Sequence, residues 1–414
     1  MITLSTVQRG LVYCFVFFGP LGNLLTPRFL PYAFRFYHFF LLLTPLFFAR
    51  LEKREWKTIA LFLPLFSYCL ISALFCHYKE EVHPDSYPLL RAFLFISQCL
   101  FMFGASFALK KRDERRRLLT LYLWGFFLSL LVGYFFTIGY YSHFLSFETI
   151  HKYSVEAQMG WGLLRFSPGT YPNEYGNVSS FVLSLLLLMY GHRQRFWLLP
   201  FLSLTFIASL LTTTRAAYLS FLIALVYLTF TSPPVRKLLT KLSLVFLGIL
   251  LILKAYSLNF FKIFILGFKA FSFTQGSTGV RFKEWIKGVD DLNSHILFGN
   301  GFGANILTHN VYLELLFELG LIGTLVLTVT CILYCIEHSG KLLSLLSSHL
   351  APPPDRFYHQ VTLLGLLHVF LFALSNHNMH HHLTWTSFLF LNIFVFQTSD
   401  EFSLSSKHRL SPQL

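Results

Sequence analysis

Three arginines and one histidine, Arg165, Arg215, Arg281 and His309, stand at the edges of long apolar runs, where an ionisable side chain is costly to keep. Arg215 lies in SLLTTTRAAYLSFLIAL, at the turn between two apolar stretches. A tight membrane hairpin does not require a guanidinium. A planar fork of N–H donors does match an anionic oxygen in a two-point contact, and phosphate is the natural partner. The three threonines before it can add hydroxyl donors. The plainer role for Arg215 is snorkelling to lipid headgroups. Arg281 lies in TGVRFKEWIKG, near Lys283 and Lys287. If that stretch is helical, Arg281, Glu284 and Trp285 share a face at i, i+3 and i+4, and a surface ion pair is the simpler alternative. Arg165 begins RFSPGTYPNEYG, and its simpler reading is a loop cation.

His309 follows GNGFGANILT and opens the apolar run VYLELLFELG. Gly299, Gly301 and Gly303 permit a close, irregular approach of backbone to backbone or ligand. They are not a dinucleotide fingerprint, because no strand precedes them and the helix begins later. A histidine at a helix start is disfavoured as imidazolium by the macrodipole, which suits it to accept a proton. An ordinary interfacial hydrogen bond is the alternative. Glu314 and Glu318 lie one and two turns deeper, off the His309 face, and need buried partners or a wet cavity; no catalysis is assigned to them. His377, His380, His381 and His382 form a histidine-rich tract in which His377 and His381 are i, i+4. No acid or cysteine accompanies them, so a polar loop at a cavity edge is expected rather than a metal site. There is no Walker A motif, no G-x-S-x-G and no HExxH, so ATPase, serine hydrolase and zincin chemistry lack their minimum parts.

The elements that must position these residues are membrane helices. The chain has 414 residues, 55% hydrophobic and 13% charged, with mean hydropathy +0.58. An average soluble domain carries about 25% charge. The net charge of +14 does not point to nucleic acid, because the basic residues fall in short clusters between apolar runs, as the positive-inside rule requires. At about 20 apolar residues per span, the sequence predicts an all-α polytopic membrane protein with about twelve helices. They are Val7–Leu25, Phe29–Ala49, Thr58–Cys76, Pro88–Leu109, Leu118–Tyr140, Tyr171–Tyr190, Phe196–Thr214, Arg215–Phe230, Leu238–Tyr256, His309–Ile336, His359–Ser375 and Leu383–Gln397.

Alternate connections then hold the Lys and Arg clusters at residues 50–57, 110–117, 193–195, 236–241 and 341–356. Both termini are expected in the cytoplasm. The organisation is helices 1–9 over 1–256 with an outer loop at 141–170, a long, partly helical outer loop at 257–308, helices 10–12 over 309–397, and a cytoplasmic tail at 398–414. The six cysteines lie in or at the ends of apolar runs and suggest no disulfide framework. The first apolar run has no convincing cleavage site after it and is taken as a retained span.

The run RFKEW at 281–285, then GNGFG at 299–303, HNVYL at 309–313 and ELGLIG at 318–323 resembles the signature region of the O-antigen ligase/polymerase family. TTTRAAYL around Arg215 and RFSPGTYPNEYG from Arg165 are similar to that family's other landmarks, in the expected order. The resemblance implies a GT-C-like, metal-independent glycosyltransferase of the bacterial inner membrane with a periplasmic active site and no cofactor. It implies a glycan donor on undecaprenyl pyrophosphate. The acceptor would be lipid A–core in the ligase branch or a second lipid-linked repeat unit in the polymerase branch.

In those terms His309 would be the general base, Arg215 and Arg281 the pyrophosphate clamps, and Arg165 a weaker third contact. Polymerases are associated with paired motifs of Arg, ten residues and Gly. Arg165 and Gly176 fit this, but Leu292 stands where Arg281 would need Gly, which favours the ligase branch. A protein O-oligosaccharyltransferase shares the same landmarks. A lipid-linked sugar flippase or other transporter would instead need charges deep in several spans.

Overall fold

The computed structural model describes residues 3–22, 24–26, 34–49, 51, 53–77, 87–109, 112–154, 159–160, 163–241, 276–304, 308–346, 353–374, 376 and 381–396. Nearly all of these are helical. The helices are α1 (Leu4–Phe18), α2 (Pro45–Phe48), α3 (Lys53–His77), α4 (Pro88–Ala108), α5 (Arg112–Tyr141), α6 (Phe147–Ser154), α7 (Pro172–Arg193), α8 (Leu198–Leu211) and α9 (Arg215–Thr231). They continue with α10 (Pro233–Lys241), α11 (Gly276–Ser294), α12 (Val311–Glu337), α13 (Ser339–Leu346), α14 (Pro353–Ala373) and α15 (His382–Phe390). A 3-10 segment, Phe36–Leu43, precedes α2, and a π-helical turn, Leu391–Phe396, extends α15. Two two-residue strands, β1 (Met159–Gly160) and β2 (Leu163–Leu164), pair antiparallel.

Five stretches are long and apolar enough to cross a bilayer: Leu4–Leu21, Trp56–Cys76, Pro88–Ser106, Asp113–Tyr141 and Val311–Glu337. α9 and α10 together make a sixth if they count as one span bent by 118°. The chain is therefore a helical, multi-pass membrane protein, while the expected count of twelve is met only in part. Three of the remaining expected spans coincide with shorter apolar helices, Phe36–Phe48, Leu198–Leu211 and His382–Phe396. At 1.5 Å per residue, none of these reaches the ~30 Å of a hydrocarbon core unaided. The expected span Leu238–Tyr256 lies outside the described residues beyond Lys241, as do the tail at 398–414 and most of the loop at 257–308. The described end of that loop is helical, as α11.

α7 has the length of a span but not the composition, and its place in the bundle explains why. It packs against α8, α9 and α14, and every residue from Tyr175 to Leu188 is buried. A helix enclosed by protein need not present apolar side chains to lipid. Its serines bond to their own helix instead, Ser179 to the Gly176 carbonyl at 3.0 Å and Ser184 to the Ser180 carbonyl at 2.9 Å. α12 is the opposite case. Beyond its first turns, which hold the buried Glu314 and Glu318, it is apolar and mostly unburied by protein, as a lipid-facing span should be. Elsewhere in the bundle, α3 packs on α4 and α12, and α1 packs on α5.

Candidate active site

The mouth of α12 is shaped by Asn310. Its backbone is extended (φ −151°), and its side-chain oxygen accepts from the N–H groups of Tyr312 and Leu313 at 3.0 and 3.1 Å. Two of the four free amides of the first turn are thereby satisfied. Its side-chain nitrogen donates to the Leu374 carbonyl just past α14, at 3.1 Å. The helix thus starts at Val311, and His309 precedes the cap. This corrects the expectation of a helical His309, since these first-turn amides are turned to Asn310 and not to the imidazole.

His309 adopts left-handed backbone geometry, φ 50°, a conformation costing roughly 1–2 kcal/mol for a residue with a Cβ. Its neighbours hold it there. The Thr308 hydroxyl donates to the Asn310 carbonyl at 2.9 Å and accepts from the Asn310 N–H at 3.3 Å. The Trp285 indole N–H donates to the Thr308 carbonyl. Backbone strain retained by so many bonds is characteristic of functional loops.

Trp285 belongs to α11, and the i, i+3, i+4 face of that helix meets the His309 loop. Glu284 Oε2 lies 4.0 Å from His309 Nε2; the two side chains are 31% and 35% exposed, but this carboxylate oxygen is itself buried. Arg281 is one turn earlier. Burial lowers its guanidinium pKa from the ordinary value, the positive charge of Arg215 lowers it further, and Glu284 opposes both. Arg281 and Arg215, 66 residues apart in sequence by their numbers, are thus close enough to repel. Arg215 is the first residue of α9, after a turn in which Thr213 has φ 53°. The helix terminus adds its own positive end to this cluster.

Arg165 sits on the far side of the same turn. Its Nε donates to the Thr212 carbonyl at 2.8 Å, and one terminal nitrogen donates to Asn173 Oδ1 at 2.9 Å and Thr214 Oγ1 at 3.3 Å. Burial lowers its pKa, with Tyr218 opposing. Thr214 donates in turn to the Pro172 carbonyl at the start of α7, at 3.1 Å. Gly176 completes the joint. A Cβ there would come within 2.8 Å of Thr214 Cβ and 2.9 Å of Thr212 Oγ1, too close for α7 to seat against the turn. Arg165 and Gly176, noted for their spacing, both serve the turn that presents Arg215.

The glycine-rich loop is threaded against a break in α12. Gly320 interrupts that helix with φ 64° and ψ −171°, and Gly299, also at positive φ, lies against it so tightly that a Cβ on either would fall 2.3–2.4 Å from the other's backbone nitrogen. Asn300 and Gly301 donate to the Phe317 and Glu318 carbonyls, at 2.8 and 3.0 Å, groups the break leaves available. Glu318 Oε2 accepts from the Gly303 N–H at 3.0 Å. Glu314 and Glu318 each lie 3.3 Å from a different terminal nitrogen of Arg91 on α4. Glu318 therefore anchors the loop that leads to His309, and Glu314 shares its arginine.

Arg91, Asn310 and Asn173 were not among the residues singled out by sequence. For Arg91 a signal existed. It is a lone cation near the start of one apolar run, and two acids at i, i+4 stand near the start of another; charges at such depth find each other.

Of the histidine tract, His377 and His380 lie outside the described residues. His381 caps α15, accepting from the Leu383 N–H at 3.4 Å. Its Nε2 is 3.9 Å from Glu174 Oε2, and Glu174 also accepts from the Thr170 hydroxyl. His382 is buried beside it, with ring centroids 4.3 Å apart. His381 thus meets α7 through Glu174, while His382 packs against Tyr37 and against Tyr122 of α5.

Residues 200–328 match a family model described as O-antigen ligase (Wzy_C). The matched stretch contains Arg215, Arg281 and His309 and excludes Arg165. Over that stretch the chain is similar to the O-antigen ligase family. None of the curated proteins compared with the chain matches it.

Proposed function

We propose that this chain, as a member of the O-antigen ligase/polymerase family, is an inner-membrane O-antigen ligase. It would move a glycan from undecaprenyl pyrophosphate to a sugar hydroxyl of lipid A–core on the periplasmic side, with both termini in the cytoplasm. The observation that carries this reading is the pairing of Arg215 and Arg281. From separate elements, Arg215 stands near enough for its charge to bear on the Arg281 guanidinium, and the α11 face of Arg281 meets a histidine whose loop is held in place. Such repulsion is offset when an anion of two or more charges lies between them, and a pyrophosphate has that charge and span.

The chemistry is a direct displacement with inversion. The acceptor oxygen forms a bond to the anomeric carbon as the bond from that carbon to the pyrophosphate breaks. The electron pair leaves with the lipid pyrophosphate, where Arg215 and Arg281 stabilise the growing charge more in the transition state than in the ground state. His309 accepts the acceptor's hydroxyl proton, and Glu284 stabilises the resulting imidazolium across the 4.0 Å gap. Arg165, bound to Thr212, Asn173 and Thr214, positions the turn, which is a more specific role than that of a third phosphate contact. No metal or nucleotide enters, because the activated bond arrives on the lipid.

The polymerase alternative shares the same landmarks, and the Arg165–Gly176 spacing that fits it is also used by the joint those two residues make with the turn. The experiment is a deletion in the native host complemented by wild type, His309→Ala, Arg215→Ala and Arg281→Ala. A ligase deletion leaves bare lipid A–core while lipid-linked polymer accumulates. Core capped by a single repeat would instead identify a polymerase. Normal glycan transfer by well-expressed His309→Ala would remove the base assignment.

A further inference from the structure

The end of the bundle away from the His309 loop holds a groove that glycosyl transfer does not use. The starts of α5 and α14, the end of α7 and the start of α8 enclose a space of about 620 Å³. Its walls are apolar, with Leu119, Leu123 and Phe127 on α5 and Phe201 on α8, and Arg116, Arg193 and Arg195 also line it. No aspartate or glutamate is among its lining residues. Trp124 and Trp197 line it too and remain 60% and 52% exposed.

The walls are tied together, so the space is built into the fold. Phe127 and Phe201 join α5 to α8 with ring centroids 4.6 Å apart. His192 joins α7 to α14 through Gln360 at 3.2 Å and through an edge contact with Phe357 at 5.2 Å. Gln194 ends α7 in left-handed geometry, φ 47°, and the sharp reversal sets Arg193 and Arg195 on either side of it. Among the described residues, none of the guanidinium groups of Arg116, Arg193 and Arg195 takes part in an ion pair. The nearby acid Glu114 is engaged by Arg9 at 2.9 Å.

Three cations over an apolar cleft, flanked by two exposed tryptophans, form an amphipathic site. Tryptophan belongs at the level of lipid headgroups, and basic pockets between membrane helices suit anionic headgroups. A free phosphate would leave the apolar walls wet, and a zwitterionic lipid would leave the positive charge uncompensated. We propose that this groove binds an anionic phospholipid, with the phosphodiester on Arg116, Arg193 and Arg195 and an acyl chain along Leu119, Leu123 and Phe127. The proposal does not depend on the reaction catalysed at the other end.

The test is native mass spectrometry of the full-length protein purified in detergent, incubated with phosphatidylglycerol or phosphatidylethanolamine of matched acyl chains. Wild type should retain phosphatidylglycerol about tenfold over phosphatidylethanolamine, as three basic groups near a headgroup allow. Arg116→Ala/Arg193→Ala/Arg195→Ala should lose that preference. Lys53→Ala/Lys57→Ala, which removes charge from the start of α3 outside the groove, should keep it. Equal retention of the two lipids by wild type overturns the proposal. So does an equal loss in the lysine variant, which would mean diffuse surface charge, or displacement of the lipid by inorganic phosphate at equal concentration, which would mean a simple anion site. If the triple variant fails to express, Arg193→Gln/Arg195→Gln in the exposed α7–α8 turn carries the same test, with the same opposing results.

Discussion

Replacing Arg91 tests whether the loop that leads to His309 is held by buried charge. Arg91→Met keeps the length of the side chain and removes its cation. Glu314 and Glu318, whose side chains are only 4% and 3% exposed, then lose their shared partner, itself 14% exposed. Removing one member of a buried ion pair costs about 3–5 kcal/mol, most of it the penalty of the charge left behind. In a chain of this size that corresponds to a fall of roughly 5 °C in unfolding temperature.

The damage should also be directed. Glu318 holds the Gly303 N–H, six residues before His309 by their numbers, so the glycine loop loosens where it feeds the candidate base. Combining Arg91→Met with Glu314→Gln and Glu318→Gln removes all three charges while leaving an amide oxygen for Gly303. If the penalty is one of uncompensated charge, the triple variant recovers most of the lost stability, a large non-additivity expected of one network. The assay is tryptophan-monitored thermal unfolding in detergent, with glycan transfer measured in parallel. An unchanged unfolding temperature in Arg91→Met, or a triple variant less stable than Arg91→Met alone, would refute the reasoning.

Four further outcomes follow from the same geometry. Arg215→Lys keeps the charge but loses the two-point contact, so transfer should fall about a hundredfold, equivalent to ~2.7 kcal/mol; a loss of less than threefold would mean that Arg215 only meets headgroups. Inorganic pyrophosphate should stabilise the wild type by relieving the repulsion felt by Arg281, by ~2.7 kcal/mol at a hundred times its dissociation constant, which is a rise of about 3 °C in unfolding temperature. Arg281→Ala should abolish that rise, and a rise that persists in this variant places the anion elsewhere. Asn310→Ala removes a cap worth about 1 kcal/mol and also releases the left-handed turn, so transfer should drop further than unfolding temperature suggests; proportionate losses would mean that the cap acts on stability alone. Transfer by the purified enzyme should survive EDTA, and loss restored by a divalent cation would overturn the metal-free reaction and reopen a role for His377 and His380.

What the sequence made legible were residues whose cost is visible one at a time. Arg215, Arg281 and His309 stood out because an ionisable group at the edge of an apolar run is expensive wherever the rest of the chain goes. The α11 face at Arg281, Glu284 and Trp285 was readable because helical periodicity is local. Span number was less readable, because hydropathy measures contact with lipid and α7 has little. Its buried serines and Asn177 look like a poor membrane helix until α8, α9 and α14 are packed around it. The role of Arg165 was hidden for a related reason. A guanidinium that binds a substrate and one that binds a backbone carbonyl look alike in sequence, and only the fold brings Thr212, Asn173 and Thr214 to it.

These differences have a common cause that bears on how such a site works. Each group assigned to chemistry stands on a helix mouth or helix face, and each is braced by residues that belong to other elements. His309 is braced through Asn310 and Trp285, the Arg215 turn through Arg165 and Gly176, and the glycine loop through Glu318 and Arg91. Two like charges held near each other need such rigidity, because a flexible Arg215 or Arg281 would swing apart and forfeit the stabilisation both could give a leaving pyrophosphate. The bracing residues should therefore act on rate through geometry. Their conservative replacement should change transfer by altering where Arg215 and His309 point, while leaving the charge and basicity of those two groups as they were.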